Sequence, residues 1–346
     1  MTWKRIATAV VLIPGVVVLI LKGSTAIVAM ALAVVISLAL FEFFALGDAI
    51  GHRAYKLWTA TCALAIVYVQ WLQVVLRQRA PGEGILYSGP IQFVFLSGLR
   101  VEDIFFFFLI GVAVITLATK RPLVEGLPAA GISSSALLFV ALPLSYAVRL
   151  HGAGLLGPWI LLFALVITWV GDTAAYFVGR SMGRRPFAPH LSPKKTWEGA
   201  IASMVAALLV GWFLSTRINV PAPIVLGLAA VGNVAGQAGD LLESAFKRSA
   251  GVKDSGTILP GHGGMLDRID ALILTIPVVW YYWIWFCSPR MYIPGALRPQ
   301  KKETRLRETA RDIGFDWLDW SPVPFSRRGA AGAIWSGRAG GGSKPR

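Results

Sequence analysis

The chain alternates long apolar runs with short polar breaks, and nine of the runs are long enough to cross a lipid bilayer. A helix needs about 20 mostly apolar residues to span about 30 Å of hydrocarbon. The runs that approach or meet this length are 5–21, 24–47, 57–77, 101–119, 132–150, 157–178, 199–215, 221–240 and 269–287. This pattern predicts an all-α polytopic integral membrane protein with about nine transmembrane helices.

The composition agrees with the pattern. Hydrophobic residues make up 55% of the chain and charged residues 15%, whereas an ordinary soluble domain has about 25% charged residues. The two cysteines, Cys62 and Cys287, both lie in apolar runs. We expect them to pack against other side chains, because their spacing suits neither a disulfide framework nor a thiol metal site.

The formal net charge of +15 has a membrane explanation. Cytoplasmic loops of membrane proteins are enriched in Lys and Arg, and the predicted spans place 15 of these residues on the N-terminal side and six on the other. The N-terminus and the loops 179–198 and 241–268 are therefore predicted to face the cytoplasm, with the protein in the inner cell membrane. We expect no nucleic-acid partner, because no groove-reading or base-stacking module is visible.

Three regions follow along the chain. Residues 1–150 hold about five spans, and residues 151–290 form a catalytic transmembrane region with the two polar cytoplasmic loops. Residues 291–346 are basic and Gly-rich, which predicts a disordered C-terminal tail. An odd number of spans would put this tail outside, against the bias expected from its charge.

The stretch 239–270 concentrates carboxylates, cations and glycines between two apolar runs. If the helix that ends near Asp240 continues, Asp240, Ser244 and Lys247 share one face. Asp267 and Asp270 project together from the start of the ninth span. Carboxylates from two helices facing one gap would hold Mg²⁺ with room for substrate phosphates, and the alternative is a solvated charged loop.

A glycine-rich turn, Pro260-Gly261-His262-Gly263-Gly264, lies inside this stretch. Its glycines would permit the backbone to approach an anion closely. Three roles are open to His262: a general acid, a hydrogen-bond donor to phosphate, or a turn residue.

Two further polar features precede this stretch. Asp172 lies inside an apolar run, where a carboxylate costs about 2.5–3.5 kcal/mol. It therefore needs a metal, a Lys or a polar cavity as a partner. The alternative is an Asp that pairs with a neighbouring helix for packing.

Ser192 and Pro193 predict the start of a helix. Lys194 and Lys195 would then lie in its first turn, a position that favours a bound phosphate. The alternative is a basic pair that only sets topology.

At these residues the chain resembles the phosphatidate cytidylyltransferase (CDP-diacylglycerol synthase) family over roughly residues 157–287. The motifs that carry the resemblance are Trp169-x-x-Asp172-x-x-Ala175-Tyr176-x-x-Gly179-Arg180-x-x-Gly183, Ser192-Pro193-Lys194-Lys195-Thr196-Trp197-Glu198-Gly199, Ser244-x-x-Lys247-Arg248, Lys253-Asp254-Ser255-Gly256 and Pro260-Gly261-His262-Gly263-Gly264-x-Leu266-Asp267-Arg268-x-Asp270. The resemblance implies an enzyme of phospholipid biosynthesis that converts CTP and phosphatidate to CDP-diacylglycerol and pyrophosphate. It further implies Mg²⁺ as a cofactor, with K⁺ as a candidate second cation. The expected partners are membrane lipid and, as one alternative, a second copy of the chain in a homodimer.

The candidate site residues combine the motifs with the charge pattern. The candidate metal ligands are Asp240 and Asp267, followed by Asp172 and Asp270. The candidate catalytic residues are Lys247, Arg248, Lys253, Asp254, His262 and Arg268. The candidate substrate-binding residues are Ser192, Lys194, Lys195, Thr196, Ser244, Gly263 and Gly264.

Two other functions stay open from the sequence. A CTP-dependent polyprenol kinase, from a related membrane group, would transfer the γ-phosphate to a lipid alcohol. An ion-coupled transporter belongs to another class, and it is considered because carboxylates inside the membrane also mark ion pathways.

Overall fold

The computed structural model describes residues 2–78, 98–218, 220–258 and 263–286, with side chains from Leu12 onward. The predicted tail, 291–346, lies outside the described residues, as do His262 and Cys287. The described residues all belong to one compact unit, Met1–Tyr292.

Helices account for most of the described chain. They are α1 (Thr2–Lys22), α2 (Thr25–Ala49), α3 (Lys56–Gln78), α4 (Val101–Ala118), α5 (Gly126–Ala136), α6 (Leu142–His151), α7 (Gly157–Met182), α8 (Trp197–Ser215), α9 (Ala222–Ser249) and α10 (Leu266–Phe286). A π-helical stretch, Leu137–Ala141, joins α5 to α6. Together with a short 3₁₀ turn they form one continuous span, Leu123–His151.

The predicted fold class is confirmed. Within the described part of the chain, eight segments are long and apolar enough to cross a membrane. In addition, α1 covers the first predicted span, although only Leu12–Lys22 of it has described side chains. The chain is therefore an all-α polytopic integral membrane protein, and the described residues include one small hairpin.

The packed group that carries the predicted site residues consists of α7, α8, α9 and α10. Small residues let these helices approach closely, as is typical of helix pairs in membranes. A Cβ added at Gly171 of α7 would lie 2.6 Å from Ser203 Oγ of α8 and 2.8 Å from Asn233 Nδ2 of α9. Asn233 donates a hydrogen bond to Ser203 at 2.8 Å, so the contact between α8 and α9 is also a buried polar one.

Three helices extend beyond the ends predicted from hydropathy. We predicted ends at 178 for α7 and 240 for α9, and a start at 269 for α10. The structure ends them at Met182 and Ser249 and begins α10 at Leu266. The apolar run marks only the part in hydrocarbon, whereas the helices continue as far as their polar residues find partners. These extensions carry five of the candidate site residues: Ser244, Lys247, Arg248, Asp267 and Arg268.

A two-stranded antiparallel hairpin connects α7 to α8. Its strands are β1 (Pro186–Ala188) and β2 (Ser192–Thr196), with Pro186 opposite Thr196 and Ala188 opposite Ser192. The predicted helix start at Ser192 is therefore wrong. Thr196 is the N-cap instead, with extended backbone and a side chain that accepts from Gly199 N at 3.2 Å.

The hairpin changes where the two lysines lie. Successive residues of a strand point to opposite faces. Lys194 is exposed, whereas Lys195 is partly buried and reaches α9. Lys194 and Lys195 are thus strand residues at different positions, and they do not form the first turn of a helix.

Candidate active site

Three carboxylates from three helices approach one another where α7 and α9 leave the apolar region and α10 enters it. They are Asp172 of α7, Asp240 of α9 and Asp270 of α10, and the charges of Asp172 and Asp240 both act on Asp270. Lys195 Nζ lies 2.5 Å from Asp240 Oδ2. Asp172, which is exposed, is within electrostatic reach of both Asp240 and Lys195, so it has the polar surroundings expected for an acidic residue inside an apolar run.

Glycines bring these elements together. A Cβ at Gly239 would lie 2.6 Å from the carbonyl oxygen of Asp270, so α9 and α10 touch through their backbones beside the carboxylates. A Cβ at Gly179 of α7 would lie 3.2 Å from Thr196 Oγ1. The end of β2 is thereby held against α7, next to the position of Lys195.

A second ionic group lies on the neighbouring turn of α9. Lys247 Nζ contacts Glu243 Oε2 at 2.5 Å and Asp267 Oδ1 at 2.6 Å. Glu243 has 2% of its surface exposed, and it was absent from the predicted site residues. Its spacing of four residues before Lys247 was a signal, because residues at i and i+4 of a helix are neighbours.

Asp267 has protein donors on both carboxylate oxygens. Besides Lys247, it accepts from Ser255 N at 3.1 Å and from Gly264 N at 3.0 Å. The side chain therefore holds the chain on both sides of the glycine-rich turn. Its assignment as a leading metal ligand stays a prediction.

Arg248 joins the two predicted cytoplasmic loops. Its Nε donates to Leu191 O of the hairpin at 3.3 Å, and its Nη1 donates to Val252 O at 3.4 Å. The sequence predicted that loops 179–198 and 241–268 lie on one side of the membrane, and this contact brings them together.

The remaining candidates lie around these two groups. Lys253, Asp254 and Arg268 are exposed, and Ser244 is partly buried on α9. Ser192 and Thr196 occupy the two ends of β2. Gly263 has φ +83°, a backbone conformation that L side chains rarely adopt.

A second acidic residue beside this site, Glu42, was also absent from the predicted site residues. Glu42 of α2 is 1% exposed, and it accepts hydrogen bonds from Ser255 Oγ at 2.9 Å and from Met265 N and Leu266 N at 2.8 Å each. Like Asp172, it is a carboxylate inside an apolar run, so the same reasoning could have found it.

Gly264 lies against this carboxylate. A Cβ there would be 2.0 Å from Ser255 Oγ and 2.4 Å from Glu42 Oε2. We predicted that the glycines of the turn permit the backbone to approach an anion. In the described residues, the anions at Gly264 are side chains of the protein itself: Glu42 lies against its Cα, and Asp267 accepts from its N–H.

Comparison with known proteins places this site in a family. A model of the cytidylyltransferase family matches residues 3–286, which is most of the chain. The chain belongs to the cytidylyltransferase family. The recognition made from the C-terminal motifs is confirmed, and the family model extends the match to the N-terminal helices that carry Glu42.

Individual relatives agree with the family model. The chain is 36% identical over 174 residues to the phosphatidate cytidylyltransferase of Bacillus subtilis (strain 168), covering 49% of this chain and 65% of that protein. It is 38% identical over 194 residues to that of Brucella suis biovar 1 (strain 1330), covering 55% of this chain and 68% of the relative. It is 45% identical over 123 residues to that of Staphylococcus aureus (strain COL), covering 34% and 46%. The chain thus spans about two thirds or less of the length of these relatives.

Proposed function

We propose that this member of the cytidylyltransferase family is a phosphatidate cytidylyltransferase, which joins CTP and phosphatidate to give CDP-diacylglycerol and pyrophosphate. The observation that carries the proposal is the convergence of Asp172, Asp240 and Asp270 from three helices beside Lys195, with the ion pairs of Lys247 on the neighbouring turn of α9. Carboxylates with adjacent cations suit a metal-bound triphosphate. The printed names of the relatives support the choice of substrates.

The reaction needs positioning more than a protein nucleophile. A phosphate oxygen of phosphatidate attacks the α-phosphorus of CTP and forms the new P–O bond. The bond from the α-phosphorus to the oxygen that bridges to the β-phosphorus breaks, and its electron pair leaves with pyrophosphate. Two anions must be brought together and the leaving group must be neutralised, so catalysis comes mainly from orientation and electrostatic stabilisation.

The cations of the site have the arrangement that this chemistry requires. Lys195 and Lys247 reach inward to the carboxylates, whereas Lys194, Arg248 and Lys253 lie at the exposed rim. We assign the inner lysines to the phosphates at the reacting centre and the rim cations to the remaining triphosphate and the lipid phosphate. Arg248 can present two parallel N–H donors to a phosphate.

Mg²⁺ belongs to the proposal, and the donor chemistry of the site fits it. Asp172, Asp240 and Asp270 supply the oxygen ligands that Mg²⁺ prefers. Among the described cations, Lys195 forms an ion pair with one of these carboxylates, Asp240. Within the described ranges no group of three or more such ligands is already arranged around a common point, and the ammonium of Lys195 occupies Asp240 Oδ2. When bound, Mg²⁺ would neutralise the developing charge on pyrophosphate. A K⁺ companion stays a prediction from the resemblance.

We place the site on the cytoplasmic face of the inner membrane. The cation excess on the side of the hairpin and the 241–268 loop supports this orientation. CTP would enter from the cytosol and phosphatidate from the adjoining leaflet. A homodimer remains a prediction that follows from the resemblance.

The test uses the purified full-length protein in detergent with Mg²⁺ and CTP labelled at either the α- or the γ-phosphate, given phosphatidate in one reaction and a polyprenol in another. We expect the α-label in the lipid product and the γ-label in pyrophosphate. A matched control is Asp103→Asn, a carboxylate that caps the start of α4 by accepting from Arg100 N at 2.7 Å, against Asp270→Asn in the site. Label from the γ-phosphate in a polyprenol would instead indicate the kinase, and the absence of any labelled lipid and of pyrophosphate would contradict an enzyme of either kind.

A further inference from the structure

Glu42 lies in α2, far along the chain from the motifs of the family, yet its carboxylate is directed at the start of α10. Leu266 is the first residue of that helix, and its N–H donates to Glu42 Oε2 at 2.8 Å. Met265 N donates to Oε1 at 2.8 Å. Unpaired N–H groups at a helix start normally find a side chain from their own segment. Here α10 is capped by a side chain of another helix.

Glu42 accepts hydrogen bonds from three donors. They are the Ser255 hydroxyl and the backbone N–H groups of Met265 and Leu266. Removing a buried acceptor of this kind leaves its donors unsatisfied, which costs about 1–3 kcal/mol for each group. Glu42 is therefore tied to the loop and to the start of α10 at three points.

The surrounding chain is shaped around this carboxylate. A Cβ added at Gly256 would lie 2.7 Å from Glu42 Oε1, and one at Gly264 would lie 2.4 Å from Oε2. Beside Glu42, the ring of Phe43 meets that of Phe246 of α9 edge-on, with centroids 5.5 Å apart. The α2 helix is therefore fixed against α9 at the level where Glu42 reaches the loop.

Ser255 links Glu42 to the active site. Its hydroxyl donates to Glu42, and its backbone N–H donates to Asp267 Oδ2 at 3.1 Å. Asp267 in turn holds Lys247 at 2.6 Å. One continuous chain of contacts thus runs from α2 to the lysine that we assign to the reacting phosphates.

We propose that Glu42 is a positioning residue of the cytidylyltransferase site: it holds Ser255 and the start of α10 so that Asp267 and Lys247 keep their places. The role rests on the proposed function. Glu42 is buried, with 1% of its surface exposed, and it acts through these residues. Glu42 lies in the N-terminal part of the chain, outside the motifs that carry the family resemblance.

The test compares Glu42→Gln with the wild-type full-length protein. A glutamine has one acceptor oxygen and an NH₂ group that faces backbone donors, so the start of α10 loses at least one bond. We expect kcat to fall about tenfold or more while KM for CTP changes less than about threefold, because Lys195 and Arg248 still bind the nucleotide. Amide hydrogen exchange of the peptide that contains Met265 and Leu266 should rise, with exchange in α3 and α8 unchanged.

Two further variants separate positioning from general damage. Asp48→Asn removes a carboxylate from the same helix, where it pairs with Lys56 at 2.6 Å near the surface, and should keep wild-type kinetics. Ser255→Ala removes the hydroxyl donor but leaves the carboxylate. We expect a smaller loss of kcat, and a double variant no worse than Glu42→Gln alone, because the two residues act through one connection.

The outcomes are distinct. Wild-type kcat and exchange in Glu42→Gln would overturn the proposal, and so would increased exchange throughout the membrane helices together with normal kinetics in Ser255→Ala. If the wild-type protein makes no CDP-diacylglycerol, the proposed function fails, while the exchange measurement still tests whether Glu42 holds the start of α10.

Discussion

Two lysines form ion pairs with carboxylates of this site. Lys195 contacts Asp240 at 2.5 Å, and Lys247 contacts both Glu243 and Asp267. An ammonium and a divalent cation compete for the same carboxylate oxygens. Binding of a metal at Asp240 would therefore release Lys195 toward a substrate phosphate, so the same exchange of partners would prepare both the metal and the phosphate positions.

This competition makes a prediction for Lys195→Gln. Without the ammonium, Asp240 is free to bind a cation, so we expect Mg²⁺ to bind more tightly in the absence of CTP. A partly exposed ion pair is worth up to about 1 kcal/mol, which corresponds to about a fivefold lower Kd. Titration calorimetry of the purified protein with MgCl₂ measures this Kd. Turnover should fall in the same variant.

The matched control is Lys194→Gln. Lys194 lies next to Lys195 in β2 but is exposed. Its loss should leave the Mg²⁺ Kd unchanged and raise KM for CTP or phosphatidate. Equal or weaker Mg²⁺ binding by Lys195→Gln would show that its ion pair with Asp240 does not compete with the metal.

Among the elements, the pair of α9 and α10 sets the separation of the carboxylates. Asp240 follows Gly239, whose Cα faces the carbonyl oxygen of Asp270. Because the two helices touch through their backbones here, a small change in side-chain size moves one carboxylate relative to the other. The geometry of the acidic group thus depends on a residue that carries no chemistry.

We therefore predict that Gly239→Ala damages both stability and turnover. The added Cβ would lie 2.6 Å from Asp270 O, and overpacking of this kind costs about 1–3 kcal/mol. The midpoint of thermal unfolding in detergent should fall, and kcat should fall with it. Differential scanning fluorimetry and the labelled-CTP assay provide the two measurements.

Gly131→Ala serves as the comparison. Gly131 is also a helical glycine, in α5, but an added Cβ meets no atom within 4 Å. Alanine is the better helix former by up to about 1 kcal/mol, so this variant should be as stable as the wild type or more stable. A Gly239→Ala protein that unfolds at the wild-type temperature would disprove the close packing.

For the molecule as a whole, all the site-bearing segments must lie on one side of the membrane. The ends of α7 and α9, the hairpin and the start of α10 meet through the contacts of Arg248, Asp267 and Gly239. From the distribution of Lys and Arg we predict that this side faces the cytoplasm. The prediction can be tested without any enzymatic assay.

Single cysteines in a Cys62→Ala/Cys287→Ala background report the orientation. A membrane-impermeant maleimide should label Thr216→Cys, in the turn after α8, in intact spheroplasts. It should label Ser249→Cys, at the end of α9, only after lysis. Both positions are exposed in the structure, so the reverse result would place the site on the outer face.

The sequence by itself determined the membrane class, the positions of the spans and the family. Bilayer thickness sets the length of an apolar run, so spans can be read directly from the chain. It also indicated that Asp240, Ser244 and Lys247 belong to one face, because helical periodicity relates residues that are near neighbours along the chain. Local periodicity did not predict the hairpin, where pairing with β1 prevailed over the helix-start signal of Ser192 and Pro193.

Only the tertiary structure decided which charged groups meet. Glu42 is separated from Ser255, Met265 and Leu266 by 213, 223 and 224 residues. No repeat in the sequence relates α2 to the start of α10. Their contact follows from how whole helices pack, and that packing depends on residues such as Gly239 and Phe246 of α9 and Gly264 of the loop that follows it. Sequence patterns therefore identified which chemical groups the protein has, while packing determined that a carboxylate of α2 contacts the loop of the candidate active site.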